Sequence, residues 1–296
     1  MTAVRPTPRR VRHVLGATLT ALSLVALTAC GSGPARSPSA GASTAATQAA
    51  VSTHIHAIAR DPRGEVLLAT HQGLFRVTDG GLHQQGPIID LMGFAVAPDG
   101  TMYASGHPGS GVDLPQPVGL ISSADGGNTW QVLSRGGESD FHALTAGPTA
   151  VTGFDGALRT TVDRTNWTTR QIPAPPRVLT AAPGTGRLLA TTRAGMLVSD
   201  DDGATWASLT PLEPALLVDW ADDTTIVALT TSGRLMTSND RGVTWTLHPG
   251  PMGDAESAEA IHAHRSTDGQ VEVIVAFAGT VLRTSDYGVT TADLLR

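Results

Sequence analysis

Several things are scarce in this chain of 296 residues, and each scarcity excludes something. Lysine is absent, so all 20 basic residues are arginine, a bias of the kind a G+C-rich genome produces. The single cysteine, Cys30, excludes any intramolecular disulfide. Tyrosine occurs only at Tyr103 and Tyr287, which leaves few candidates for chemistry that needs a phenol. Charged residues make up 16%, against 33 glycines and 19 prolines, a balance suited to many short strands and tight turns. The apolar run from Val14 to Ala29 is too short to span a bilayer comfortably.

That run instead reads as the core of an export signal. Arg5, Arg9, Arg10 and Arg12 precede it as a basic region. It closes on Leu27-Thr28-Ala29-Cys30, which resembles a bacterial lipobox. The resemblance implies diacylglyceryl transfer to the Cys30 thiol and cleavage before it. Residues 1–29 are then a lipoprotein signal peptide. Residues 30–50, rich in Ser, Ala, Gly, Thr and Pro, form a flexible tether, and 51–296 form the folded domain. The expected location is the outer face of the cytoplasmic membrane in a bacterial cell envelope, with the lipid as membrane partner. Removing residues 1–29 takes four arginines and no acids, leaving 16 against 26 and a net charge of −10. That excess argues against nucleic acid and acidic lipid surfaces as partners. A monomer is expected.

What is abundant is one short pattern. Ser123-Ala124-Asp125-Gly126-Gly127-Asn128-Thr129-Trp130 returns as Ser199–Trp206 and as Ser238–Trp245. Weaker copies lie at Thr161–Trp167 and Ser285–Thr290, with a vestige at Thr78–Gly81. Their aspartates, Asp79, Asp125, Asp163, Asp201, Asp240 and Asp286, recur at a period near forty, the mark of a blade array. Locally the pattern is a tight hairpin: Asp accepts from amides of its own turn and Gly takes a positive φ. It resembles the Asp-box (BNR) repeat of sialidase-like and sortilin-like β-propellers, where the box is a structural element of the outer rim. The expectation is an all-β, six-bladed propeller, a seven-bladed one being the lesser alternative.

In such a fold the first strand of each blade lines a central channel. Strict alternation puts His56, Phe94, His142, Leu179, Leu217 and His262 in one ring. The ring above it would hold His54, Met92, Asp140, Arg177, Ala215 and Ala260. His71, His107 and Asp155 follow second strands, in loops toward the same end. So His54, His56, His71, Met92, His107, Asp140, His142 and Asp155 should converge at blades one to three, an asymmetry no structural repeat requires. An insertion in blade two, from Gly106 to Pro117, could overhang that corner.

Three readings of the corner stay open. One is a ligand-binding or scaffold module for an unidentified ligand or protein partner, with no chemistry of its own. A second is a transition-metal site, His54, His56, His107 and His142 being candidate ligands, with Met92 favouring copper and Asp favouring zinc. A third is glycoside hydrolysis, with Asp140, Asp155 and Asp113 as candidate catalytic carboxylates. Sialidase chemistry is not expected: it needs an arginine triad and a tyrosine nucleophile, and Tyr287 lies in a repeat turn. The domain also resembles a group of bacterial exported proteins labelled glycosyl-hydrolase-like. The residues that carry this are His54-Ile55-His56, Thr70–Phe75, Met92-Gly93-Phe94, Ser105–Pro108 and Asp140–Leu144. The label implies no defined activity.

Overall fold

The computed structural model describes His54–Arg296; residues 1–53, and with them Cys30 and the expected signal peptide and tether, lie outside the described residues. Twenty-four strands form six four-stranded antiparallel sheets. Each sheet is a meander of four consecutive strands, spanning 55–85, 89–134, 143–170, 176–209, 215–251 and 258–293. Among the described residues the sole helical element is a 3-10 turn, Ala255–Ser257. No helix among them is long and apolar enough to cross a membrane. The chain folds as a six-bladed β-propeller.

Burial along each blade follows from this packing. Second strands have neighbours on both faces, so Val66–Thr70 and Ile226–Thr230 are buried throughout and read as continuous apolar runs. Fourth strands lie at the rim, and Gln131–Ser134 is only partly covered. The hydrophobic clusters sit between blades. Phe75 and Leu68 of blade one pack with Ala260, Ile274 and Val281 of blade six, which closes the ring. Each large apolar side chain buried this way contributes roughly 1.5–3 kcal/mol.

The repeated turns behave as their residues dictate. Asp125 accepts the Thr129 amide at 2.9 Å and the Thr129 hydroxyl at 2.6 Å, while the Ser123 hydroxyl accepts the Gly127 amide at 2.9 Å. The same set recurs around Asp201, Asp240 and Asp286. Two successive residues turn left-handed, as in Asp202 (φ 54°) and Gly203 (φ 80°). The indoles of Trp130 and Trp245 donate to Gly127 O and Gly242 O at 3.1 Å, pinning turn to strand.

First strands depart from strict alternation. The pairing register shifts between Ile55 and Ala57, Leu91 and Gly93, Pro176 and Val178, Ala215 and Leu217, and Ala258 and Ala260. Each shift is a bulge holding one extra residue: His56, Met92, Arg177, Leu216 and Glu259. His142 takes the matching place in blade three, one residue before the first ladder pair, Ala143 with Phe154. The channel lining draws on both expected rings: His56, Phe94, His142, Leu179 and His262 from one, and Met92, Arg177 and Ala260 from the other. Leu217, assigned to the channel by alternation, is wholly buried between the fifth and sixth blades.

Candidate functional site

The channel contains a cavity of about 270 Å³, lined among others by His56, Met92, His142, Arg177, Glu259 and His262. Its chemistry is uneven. Of the nine histidines among the described residues, six come from blades one to three: His83 on an outer fourth strand, and His54, His56, His71, His107 and His142.

A string of imidazoles and carboxylates runs across the blade junctions there. Glu259 of blade six accepts the Ile55 amide at 2.9 Å and lies 2.9 Å from His54 Nδ1. Within blade one, His54 stands edge-on to His56, with ring centroids 4.6 Å apart, and stacks on His71 at 5.5 Å. His71 Nδ1 donates to Asp90 Oδ1 of blade two at 2.8 Å, and the same nitrogen lies 3.2 Å from His56 Nε2. His56 Nε2 is 3.6 Å from that Asp90 oxygen. Further round, His107 Nε2 meets Asp140 Oδ2 at 3.0 Å, and His142 Nδ1 lies 3.5 Å from the same oxygen. His107 Nδ1 and Asp140 Oδ1 are buried without a hydrogen-bond partner.

Each group is held by local structure. His71 sits in a turn closed by the Thr70 hydroxyl, which accepts the Gln72 amide and donates to Gly73 O, both at 3.0 Å. Asp90 pairs in register with His107, beside Gly106, where a Cβ would stand 1.8 Å from Asp90 O. Only glycine allows the two strands to run that close. Burial, with His71 and His54 alongside, lowers the His56 pKa to about 4, and the Asp90 charge offsets this in part. His56 is therefore neutral at neutral pH.

The remaining sequence candidates stand elsewhere. Asp155 is buried, accepting from the Ser139 hydroxyl at 2.6 Å and from Arg159 Nε at 2.9 Å. Burial would raise its pKa, but these bonds outweigh it and hold the group low. Asp113 is exposed on the blade-two loop, whose Val112 and Leu114 pack down on the core between blades one and two. The loop thus lies on that core. Met92 lines the channel as the blade-two bulge.

Sequence reasoning passed over Asp90 and Glu259. Asp90 lies before the bulge at Met92, in ladder register with His107, while Glu259 is itself the bulge residue of its strand. Asp219 was also missed. Its Oδ2 accepts the Ala263 amide at 2.9 Å and lies 3.1 Å from His262 Nδ1, and its Oδ1 accepts the Thr180 hydroxyl at 2.6 Å. Blades four, five and six are thereby tied together inside the channel.

No family model matches the chain, and no curated protein matches it. Solved structures do. The GH74 enzyme of Niastella koreensis superposes with a TM-score of 0.54 at 15% identity, over 79% of this chain and 36% of that one. The chain thus spans about a third of that enzyme's length. YCF48 from Cyanidioschyzon merolae gives 0.51 at 14% identity, over 78% and 94%. A chain of the nidogen/laminin complex gives 0.59 at 13%, over 77% and 92%. The likeness is one of fold. An enzyme and a component of a protein complex share it, so the fold selects no activity.

Proposed function

We propose that the chain is an exported, lipid-anchored binding protein whose ligand seat is the channel mouth at blades one to three. The anchor would be Cys30, and the blades would belong to the Asp-box type. The observation that carries the reading is the gathering of five histidines with Asp90, Asp140 and Glu259 at one corner of the channel. A propeller needs no such set for stability; its core lies between the blades.

Glycoside hydrolysis fits the same geometry less well. Of its three candidate carboxylates, Asp155 is committed to Arg159 and Ser139 and Asp113 is out on the loop, which leaves Asp140 alone of the three beside the histidines.

The test is native mass spectrometry of the full chain isolated from its expressing cells, beside a His56→Ala/His142→Ala double variant. A bound species on the wild type that the folded double variant lacks is the expected result. Identical spectra without adduct, and no thermal-shift response to sugars, carboxylates or metal ions, would sink the reading. Cys30→Ser should move the chain from the membrane to the soluble fraction; an unchanged distribution would remove the anchor.

A further inference from the structure

Five imidazoles approach the mouth, but among the described residues one trio of donor atoms forms a closed set. His56 Nε2, His71 Nδ1 and Asp90 Oδ1 are separated pairwise by 3.2, 2.8 and 3.6 Å. In a tetrahedral zinc site with ligands at about 2.0–2.2 Å, donor atoms lie roughly 3.3–3.6 Å from one another. The 3.2 and 3.6 Å separations match edges of that tetrahedron, and the 2.8 Å pair would have to open by roughly half an ångström.

We infer that His56, His71 and Asp90 bind one divalent transition-metal ion of the zinc class, leaving a fourth position for water or an exogenous ligand. The inference rests on the mouth being the binding face and names what it takes. Two imidazole nitrogens and one carboxylate oxygen are a donor set for zinc and its borderline neighbours, not for calcium or magnesium, which take oxygen. Three protein ligands with one position left over is the pattern of an open site, not of a closed structural one.

Hydrogen bonding alone accounts poorly for the trio. The single proton on His71 Nδ1 serves Asp90 at 2.8 Å, and His56 Nε2 must share that same N–H at 3.2 Å. A metal ion replaces this shared proton with three bonds. The balance is simple: the one ring proton of His71 moves from Nδ1 to Nε2 by way of solvent, His56 binds through the Nε2 lone pair, and Asp90 binds as carboxylate, with no net proton released.

The supports are in place beforehand. The His56 side chain is aimed by the bulge, His71 by the Thr70-capped turn, and Asp90 by the close strand pair at Gly106. His54 walls the site from above with its Nδ1 on Glu259, and His107 is turned to Asp140. Neither belongs to the donor set, which departs from the ligands expected from sequence.

The experiment titrates the full-length, metal-stripped chain with zinc against a chromophoric chelator, beside His71→Ala, Asp90→Asn and the rim variant His83→Ala. One zinc per wild-type chain is expected, weakened about tenfold or more in the first two variants and unchanged in the third. Cobalt(II) on the wild type should give intense visible bands of a four-coordinate site, a readout that survives if a variant fails to fold. Absence of zinc binding at micromolar metal, binding unchanged in both His71→Ala and Asp90→Asn, or a pale six-coordinate cobalt spectrum overturns the inference. A co-purifying adduct lost in His56→Ala/His142→Ala without zinc binding would leave the mouth as binding face and remove only the metal.

Discussion

Glu259 and His54 lie 2.9 Å apart although 205 residues separate them, and the other oxygen of Glu259 holds the Ile55 amide. One carboxylate thus clasps the last blade to the first at the rim of the channel. Glu259→Ala leaves a buried amide unsatisfied and frees His54. The expected loss is about 1–3 kcal/mol, read as a lower urea midpoint with unchanged slope. A variant as stable as wild type would show that the blade interface closes the ring by apolar packing alone.

The repeated turns make acid stability predictable in sign. The hydroxyl and amide of Thr129, Thr205 and Thr244, and the amide and hydroxyl of Thr290, lower Asp125, Asp201, Asp240 and Asp286 to about 2. Asp163 is held low by Asn166 and Thr165. These folded values lie below the unfolded one of 3.8, so the unfolded chain binds protons first. Their stabilisation is complete above about pH 4 and drains away as pH falls toward 2. Thermal midpoints measured across that window should fall steadily with acidification; a flat profile would contradict this.

Thr205→Val isolates one turn. It removes the hydroxyl that donates to Asp201 at 2.7 Å and leaves the Thr205 amide bond. The Asp201 carboxyl should then titrate closer to the ordinary aspartate range, followed by carbon NMR, with Asp240 unmoved as the internal control.

Phe141 is the keystone between blades two and three. It is fully buried, stacks on Trp167 with centroids 4.9 Å apart, and donates its amide to the Ser105 hydroxyl at 2.9 Å. Phe141→Ala should cost about 3–5 kcal/mol. Scanning calorimetry would register a fall of roughly 2–4 °C for each kcal/mol lost in a domain of this size.

Gly106→Ala probes the mouth through the backbone. Its φ of 139° is strained for alanine, and the new methyl would meet Asp90 O. Asp90 and His107 must both shift, so zinc affinity should drop in this variant even if it folds. Full affinity in a folded Gly106→Ala chain would show that the strand pair does not position Asp90.

Blade number, repeat turns and the apolar second strands were legible in the sequence because each is a local matter. A turn is decided by the few residues that bond within it, and a strand buried on both faces shows as an uninterrupted apolar run. The crowding of histidines toward blades one to three was also legible, since it needs only the blade order. The register at the mouth was not. A bulge of one residue moves a side chain to the other face, and nothing in Ile55-His56-Ala57 or Leu91-Met92-Gly93 announces it. Nor could alternation along single strands bring Asp90 to His71 or Glu259 to His54. Those pairs exist because ring closure sets different blades side by side, and that is a property of the packed whole.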